Sequence, residues 1–250
     1  AAGLDCRKLK AGSMAGWTYL MSPLQRLLVV AACSVMLSSA QAAEVRGTVS
    51  VEYQGLFKVD TSVQSYAVSV ALFPGDGQPV KLRAPRVEKI EIAENRMRPA
   101  FLTIQTGDQV KFVNHDPVFH QLFSLSPSKP LSAQLAKAGG PGVTTATTQF
   151  DQPGTTHVFC RIHNKSYARI DTVETPHLQT LQPGEQFHFS GLGPGRWKLR
   201  LASPGAETQW VDVTALTAPP ARRFSLVSRG GGTGSARLAG QTAVENLYQH

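Results

Sequence analysis

The chain has 250 residues, of which 42% are hydrophobic and 17% charged, enough apolar material to bury a core in one large domain or two small ones. A formal net charge of +8 invites a nucleic-acid or membrane partner, but the excess sits at the ends. Residues 1–42 and 215–250 hold eight of the 25 basic and two of the 17 acidic residues, so the middle keeps 17 and 15, near +2, and no basic binding face is implied.

In chain order, the first signal is a leader. Arg26 precedes the apolar run Leu27–Leu37, and small residues lead to Ala40-Gln41-Ala42, the pattern of a secretory signal with an Ala-x-Ala exit. The run is short for a membrane span. A lipid anchor at Cys33 ranks second, because Val30 stands where a lipoprotein signal has Leu and the apolar run continues past Cys33. The expectation is a leader region over 1–42, of which 1–20 precede the signal itself, and an exported, periplasmic mature protein.

Beyond the leader the pattern is β throughout. Val45–Tyr53, Tyr66–Phe73, Phe101–Gln105, Gln109–Asn114, Gln121–Ser124, Thr155–Cys160 and Trp197–Ala202 are short runs rich in Val, Phe, Thr and Leu between Gly, Pro and Asp turns. No stretch keeps a helical period. Such strands predict antiparallel sandwiches rather than a parallel sheet with crossover helices. Gly107-Asp108 marks a turn between two of them, and Gln182–Phe189 with Gly191–Leu199 reads as two alternating strands around a Gly/Pro turn. Residues 215–250, with Arg222, Arg223 and Gly230-Gly231-Gly232, read as a flexible tail, and Glu245–His250 resembles the remnant of a protease-site tag.

Cysteine use narrows the chemistry. Cys6 lies upstream of the signal and Cys33 within it, which leaves Cys160 alone after cleavage and rules out an internal disulfide. A lone thiol in an oxidising compartment is buried and inert, paired with another molecule, or bound to a metal. His163 stands three residues on, so one loop at a strand end can turn both toward a point. His120 follows the strand ending at Asn114 by a short Asp-Pro loop and is the candidate second imidazole. One thiolate and two imidazoles in a plane suit copper that alternates between Cu(I) and Cu(II). Strand alternation points His157 and Phe159 away from the face of Val158 and Cys160, which removes His157 from the ligand set. His115, His177 and His188 read as surface or hydrogen-bonded histidines. A structural zinc site wants four ligands where three can be named. A cysteine nucleophile using His163 lacks a visible third residue or oxyanion arrangement.

The segments VKFVNHDPVFHQLFSLSPSKPL and QFDQPGTTHVFCRIHNKSYARIDTVETPH resemble the cupredoxins, and among them the periplasmic plastocyanin-like proteins labelled methylamine-utilisation-like. The most specific pieces are Asn114-x-Asp116-x-x-x-His120, Ser124-x-Ser126-Pro127-x-Lys129-Pro130, Phe150-Asp151-x-Pro153-Gly154 and Cys160-x-Ile162-His163. The resemblance implies a Greek-key cupredoxin sandwich over 85–174 that interrupts a carboxypeptidase-regulatory or transthyretin-like sandwich made of 45–75 and 176–214. It implies one copper ion on His120, Cys160 and His163, electron transfer with redox partner proteins, and no enzymatic activity. One departure stands out: the family has Met three residues after the second His, where this chain has Ser166. The axial position is then empty, filled by a carbonyl or water, or taken by Met97, and a carrier of copper without redox work, or a scaffold with a vestigial site, stays open.

Overall fold

A computed structural model describes residues 42–54, 67–77 and 79–229; the expected leader up to Gln41 and the residues from 230 onward lie outside them. The described chain is all-β, sixteen strands with no helix, and among the described residues no helix is long and apolar enough to cross a membrane.

Between Val87 and Val173 two sheets close on one apolar cluster. β3 (Val87–Ala93), β4 (Arg96–Arg98), β6 (Gln109–Asn114) and β9 (Thr145–Gln149) run in the order β4-β3-β6-β9. β5 (Phe101–Gln105), β7 (His120–Ser124), β8 (Leu131–Leu135), β10 (Gly154–Cys160) and β11 (Tyr167–Val173) run in the order β5-β11-β10-β7-β8. The alternation of each strand decides what it buries. Val110, Phe112 and Asn114 of β6 turn inward, as do Thr156, Val158 and Cys160 of β10, and Ile90, Ile92, Leu122 and Ile170 complete the cluster. At the start of β6 the expected Gly107-Asp108 turn is present, with Gly107 at φ 93, a conformation that favours glycine. The buried Asp108 carboxylate accepts both Arg83 guanidinium nitrogens at 2.7 and 2.6 Å and the backbone N–H groups of Arg86 and Gln105. Burial raises its pKa, but these donors outweigh burial and hold it below the ordinary carboxylate range. That clamp fixes one end of β6 and leaves the other, at Asn114, for the site.

The flanking strands build a second cluster. β1 (Ala43–Gln54), β13 (Gln186–Leu192) and β16 (Arg222–Arg229) run in the order β13-β1-β16. β2 (Val68–Pro74), β12 (Leu178–Leu181), β14 (Gly195–Ala202) and β15 (Gln209–Ala215) run in the order β12-β2-β14-β15. Val45, Val49, Leu72, Phe187, Leu199 and Leu226 meet between them. β16 corrects the reading of 215–250 as a flexible tail. Arg222–Arg229 pairs in parallel with Gly47–Gln54, and Leu226 is fully buried. The alternation of Phe224 and Leu226 with Ser225 carries a strand, and the neighbouring arginines and downstream glycines mask it in the sequence.

The two clusters meet back to back. Ser69 and Ala71 of β2 and Arg200 and Ala202 of β14 are buried yet lie on the face opposite their own apolar cluster. Arg200 Nη2 reaches across to Asp171 of β11 at 2.7 Å. Arg169 holds the same carboxylate through Nε and Nη2, and Thr155 Oγ1 donates to it at 2.9 Å. Burial raises the Asp171 pKa, and the two guanidinium groups more than reverse this, so the carboxylate stays ionised. Removing one partner from a buried ion pair leaves the other charge uncompensated. Asp171→Ala should therefore cost about 3–5 kcal/mol in urea unfolding; a loss near zero would mean that the seam is held by apolar contact alone.

Candidate metal centre

The site is built where β10 ends beside the start of β7. The two strands pair antiparallel with Cys160 opposite Leu122, so His120, the first residue of β7, comes level with the loop that follows Cys160. Residues 161–166 form that loop. It is closed by Ser166 N–H donating to His163 C=O at 2.9 Å and Cys160 N–H to Ser166 C=O at 3.2 Å, and Arg161 N–H ties it to Gln121 C=O at 2.9 Å. These bonds turn His163 back over Cys160.

All three expected residues converge. Cys160 Sγ lies 3.7 Å from His163 Nδ1, and the two Nδ1 atoms of His163 and His120 are 3.2 Å apart. The three donor atoms fall within 4.8 Å of one another. His120 is fully buried, Cys160 nearly so, and His163 half-buried. A first-row metal ion sits about 2.0–2.1 Å from nitrogen and about 2.3 Å from sulfur, which sets donor atoms roughly 3–4 Å apart. The donor triangle matches that spacing, and its soft thiolate with two imidazoles matches copper chemistry.

The thiol is shifted toward its thiolate form. Burial raises its pKa, but the His120 imidazole and the backbone N–H groups of Ile162, His163 and Gln121 lower it further, to about 6. His120 moves the other way. Burial lowers its pKa, while Cys160 and Asp116 more than offset that and raise it.

Behind the donors lies a shared anchor. Glu94 and Asn95 form the turn between β3 and β4 with φ of 54 and 58, in the left-handed region. Their N–H groups donate to Asp116 Oδ1 and Oδ2 at 2.6 and 3.0 Å, and Asp116 Oδ2 meets His120 Nε2 at 2.9 Å. From the other loop, Ser166 Oγ donates to Asn95 C=O at 2.9 Å. One turn thus holds both loops of the cluster. Asn114 braces the first loop by donating to Val118 C=O and Ala136 C=O, both at 2.8 Å, and accepting from Asp116 N–H.

The other described histidines stay apart from this cluster. His157 lies on the outer face of β10, bonded through Nδ1 to Tyr167 Oη at 2.9 Å and stacked with Phe159. His115 is 3.6 Å from Glu91, His188 is 2.7 Å from Glu44, and His177 packs edge-on against Trp197. Met97 belongs to the apolar cluster between the sheets. Two roles escaped the sequence reading: the Asp116 carboxylate on His120, and the Ser166 hydroxyl spent on a loop tie. The four-residue spacing from Asp116 to His120 is the available signal for the first; the second depends on a turn 71 residues away.

No protein-family model matches the chain, and no curated protein matches it. Solved structures that are similar include a purple cupredoxin from Nitrosopumilus maritimus (18% identity, 34% of this chain and 99% of that one, TM-score 0.29). A Cu-containing nitrite reductase from Thermus scotoductus SA-01 gives 20% identity over 50% of this chain and 28% of that one, TM-score 0.32. Amicyanin from Paracoccus versutus gives 14% identity over 41% of this chain and 91% of that one, TM-score 0.30. At these values the likeness decides nothing about this chain.

The lowered thiol pKa has a direct readout. In the metal-free protein the ultraviolet absorbance of the Cys160 thiolate should rise with a midpoint near pH 6, and His120→Ala should move that midpoint up toward the ordinary 9.0. A midpoint near 9.0 in the parent protein would contradict the electrostatics described.

Proposed function

We propose that the chain is an exported copper protein of the cupredoxin kind that passes single electrons between partner proteins. The observation that carries this reading is the convergence of Cys160 Sγ with the Nδ1 atoms of His120 and His163 at one end of a β-sandwich. Cys160 would be the thiolate ligand and His120 and His163 the imidazole ligands. Copper held there supplies one-electron exchange between Cu(I) and Cu(II). The rest is the work of this chain: burial of Cys160 and His120 keeps water away, and the hydrogen-bonded loops keep the donors in place through a change of charge. Half-buried His163 is the natural exit for the electron. Val118, Phe119 and Ile162, exposed in the two ligand loops, offer an apolar surface to a redox partner. In this reading the copper-binding unit spans 85–174, and β1, β2 and β12 to β16 form the second sandwich, a docking or spacing module. Export rests on the leader pattern over 1–42.

A copper carrier without redox work is favoured by one observation. Ser166 stands where the resemblance expects a thioether, and its hydroxyl is donated to Asn95. With no thioether at that place, bound Cu(I) would be easier to capture and release.

One equivalent of Cu(II) added to the purified protein separates the readings. Electron transfer predicts an intense visible sulfur-to-copper charge-transfer band that Cys160→Ser abolishes. Colourless binding of Cu(I) alone would point to the carrier. Absence of binding to either ion would sink both and leave a β-sandwich scaffold.

A further inference from the structure

The second face of the His120 ring has a partner that copper ligation does not require. His120 Nε2 points away from the donor cluster and meets a carboxylate, Asp116 Oδ2, at 2.9 Å. Asp116 is 7% exposed, and it is not free to turn aside. Glu94 N–H holds Oδ1 at 2.6 Å and Asn95 N–H holds Oδ2 at 3.0 Å, so the turn grips both oxygens while His120 takes a further lone pair. Asn114 fixes the backbone of the same residue, since Asp116 N–H donates to Asn114 Oδ1 at 2.9 Å. The backbone N–H groups can only donate. The carboxylate must therefore accept from Nε2–H, and in the neutral ring this leaves the Nδ1 lone pair facing Cys160 and His163.

We propose that Asp116 is a positioning residue of this site: its carboxylate, gripped by the Glu94–Asn95 turn, selects the His120 tautomer that can ligate through Nδ1 and biases bound copper toward its more highly charged state. The second half rests on the copper reading; the first does not. An anion hydrogen-bonded to the far side of a ligand imidazole makes that imidazole a stronger donor, and its field favours Cu(II) over Cu(I). Outer partners of this kind change metal affinity by about 10–100-fold when removed. Asp116→Asn keeps the shape and removes the charge. The new amide must also place its NH2 either against Glu94 N–H, which then loses its acceptor, or at the position shared by Asn95 N–H and Nε2–H, where both lose theirs.

Two measurements test this, one on each half. Nitrogen NMR of the metal-free wild-type protein, at a pH where the ring is neutral, should find His120 protonated at Nε2 and bare at Nδ1. A ring carrying its proton on Nδ1 overturns the proposal, whether or not copper binds and whether or not the variant folds. With copper, the ratio of Cu(II) to Cu(I) affinity should fall about tenfold in Asp116→Asn, equal to about 59 mV for one electron. A folded variant that keeps the charge-transfer band and an unchanged ratio overturns the bias toward Cu(II). Failure of the wild-type protein to bind copper is a different result: it sinks the copper reading and the bias with it, and the NMR measurement then decides the tautomer claim alone.

Discussion

The site depends on how β7 and β10 pair. Antiparallel register with Cys160 opposite Leu122 sets the last residue of one strand beside the first residues of the other, so His120 and Cys160 become neighbours at one edge of the sandwich although 40 residues separate them. A one-residue slip would send Cys160 to the outer face and turn Phe159 and His157 inward. Register is held because Val158 and Leu122 are fully buried on the same face, and a slip would expose them. The apolar pattern that makes the sandwich is thus the same constraint that brings the donors together.

Convergence alone would leave a buried thiol and two buried or half-buried imidazoles to settle as they could. The turn at Glu94 and Asn95 prevents that. It donates to the Asp116 carboxylate on one loop and accepts from the Ser166 hydroxyl on the other, so each ligand loop is fixed against a common backbone. Charge is balanced locally as well. Asp116 faces the outer nitrogen of His120, and the inner nitrogen faces the thiol, so the ring is held between two partners. Similar logic secures the distant parts: Asp108 fixes the start of β6, and Asp171 with Arg200 joins the two apolar clusters across their backs.

Much of this was legible in the residues. The alternation in Gln109–Asn114 and Thr155–Cys160 is clean because each strand buries one face only, and the Cys160-x-x-His163 spacing is local enough to read directly. His120 was legible because a short Asp-Pro loop limits where its strand can begin. The less legible parts are nonlocal or masked. β16 hid behind Arg222 and Arg223, whose charge reads as tail, and became a strand through parallel pairing with a segment more than 170 residues away. Asp116 was visible as a motif residue, yet its task is set by the N–H groups of a turn some twenty residues earlier. Ser166 read as a missing ligand; its hydroxyl instead serves as a tie between loops.

The central claim is that Cys160, His120 and His163 hold one soft metal ion together. X-ray absorption at the copper edge, on protein loaded with a single equivalent, measures this most directly. The account predicts one sulfur and two nitrogen scatterers in the inner coordination shell, with the sulfur lost in Cys160→Ser. A shell made only of nitrogen and oxygen in the parent protein would contradict it.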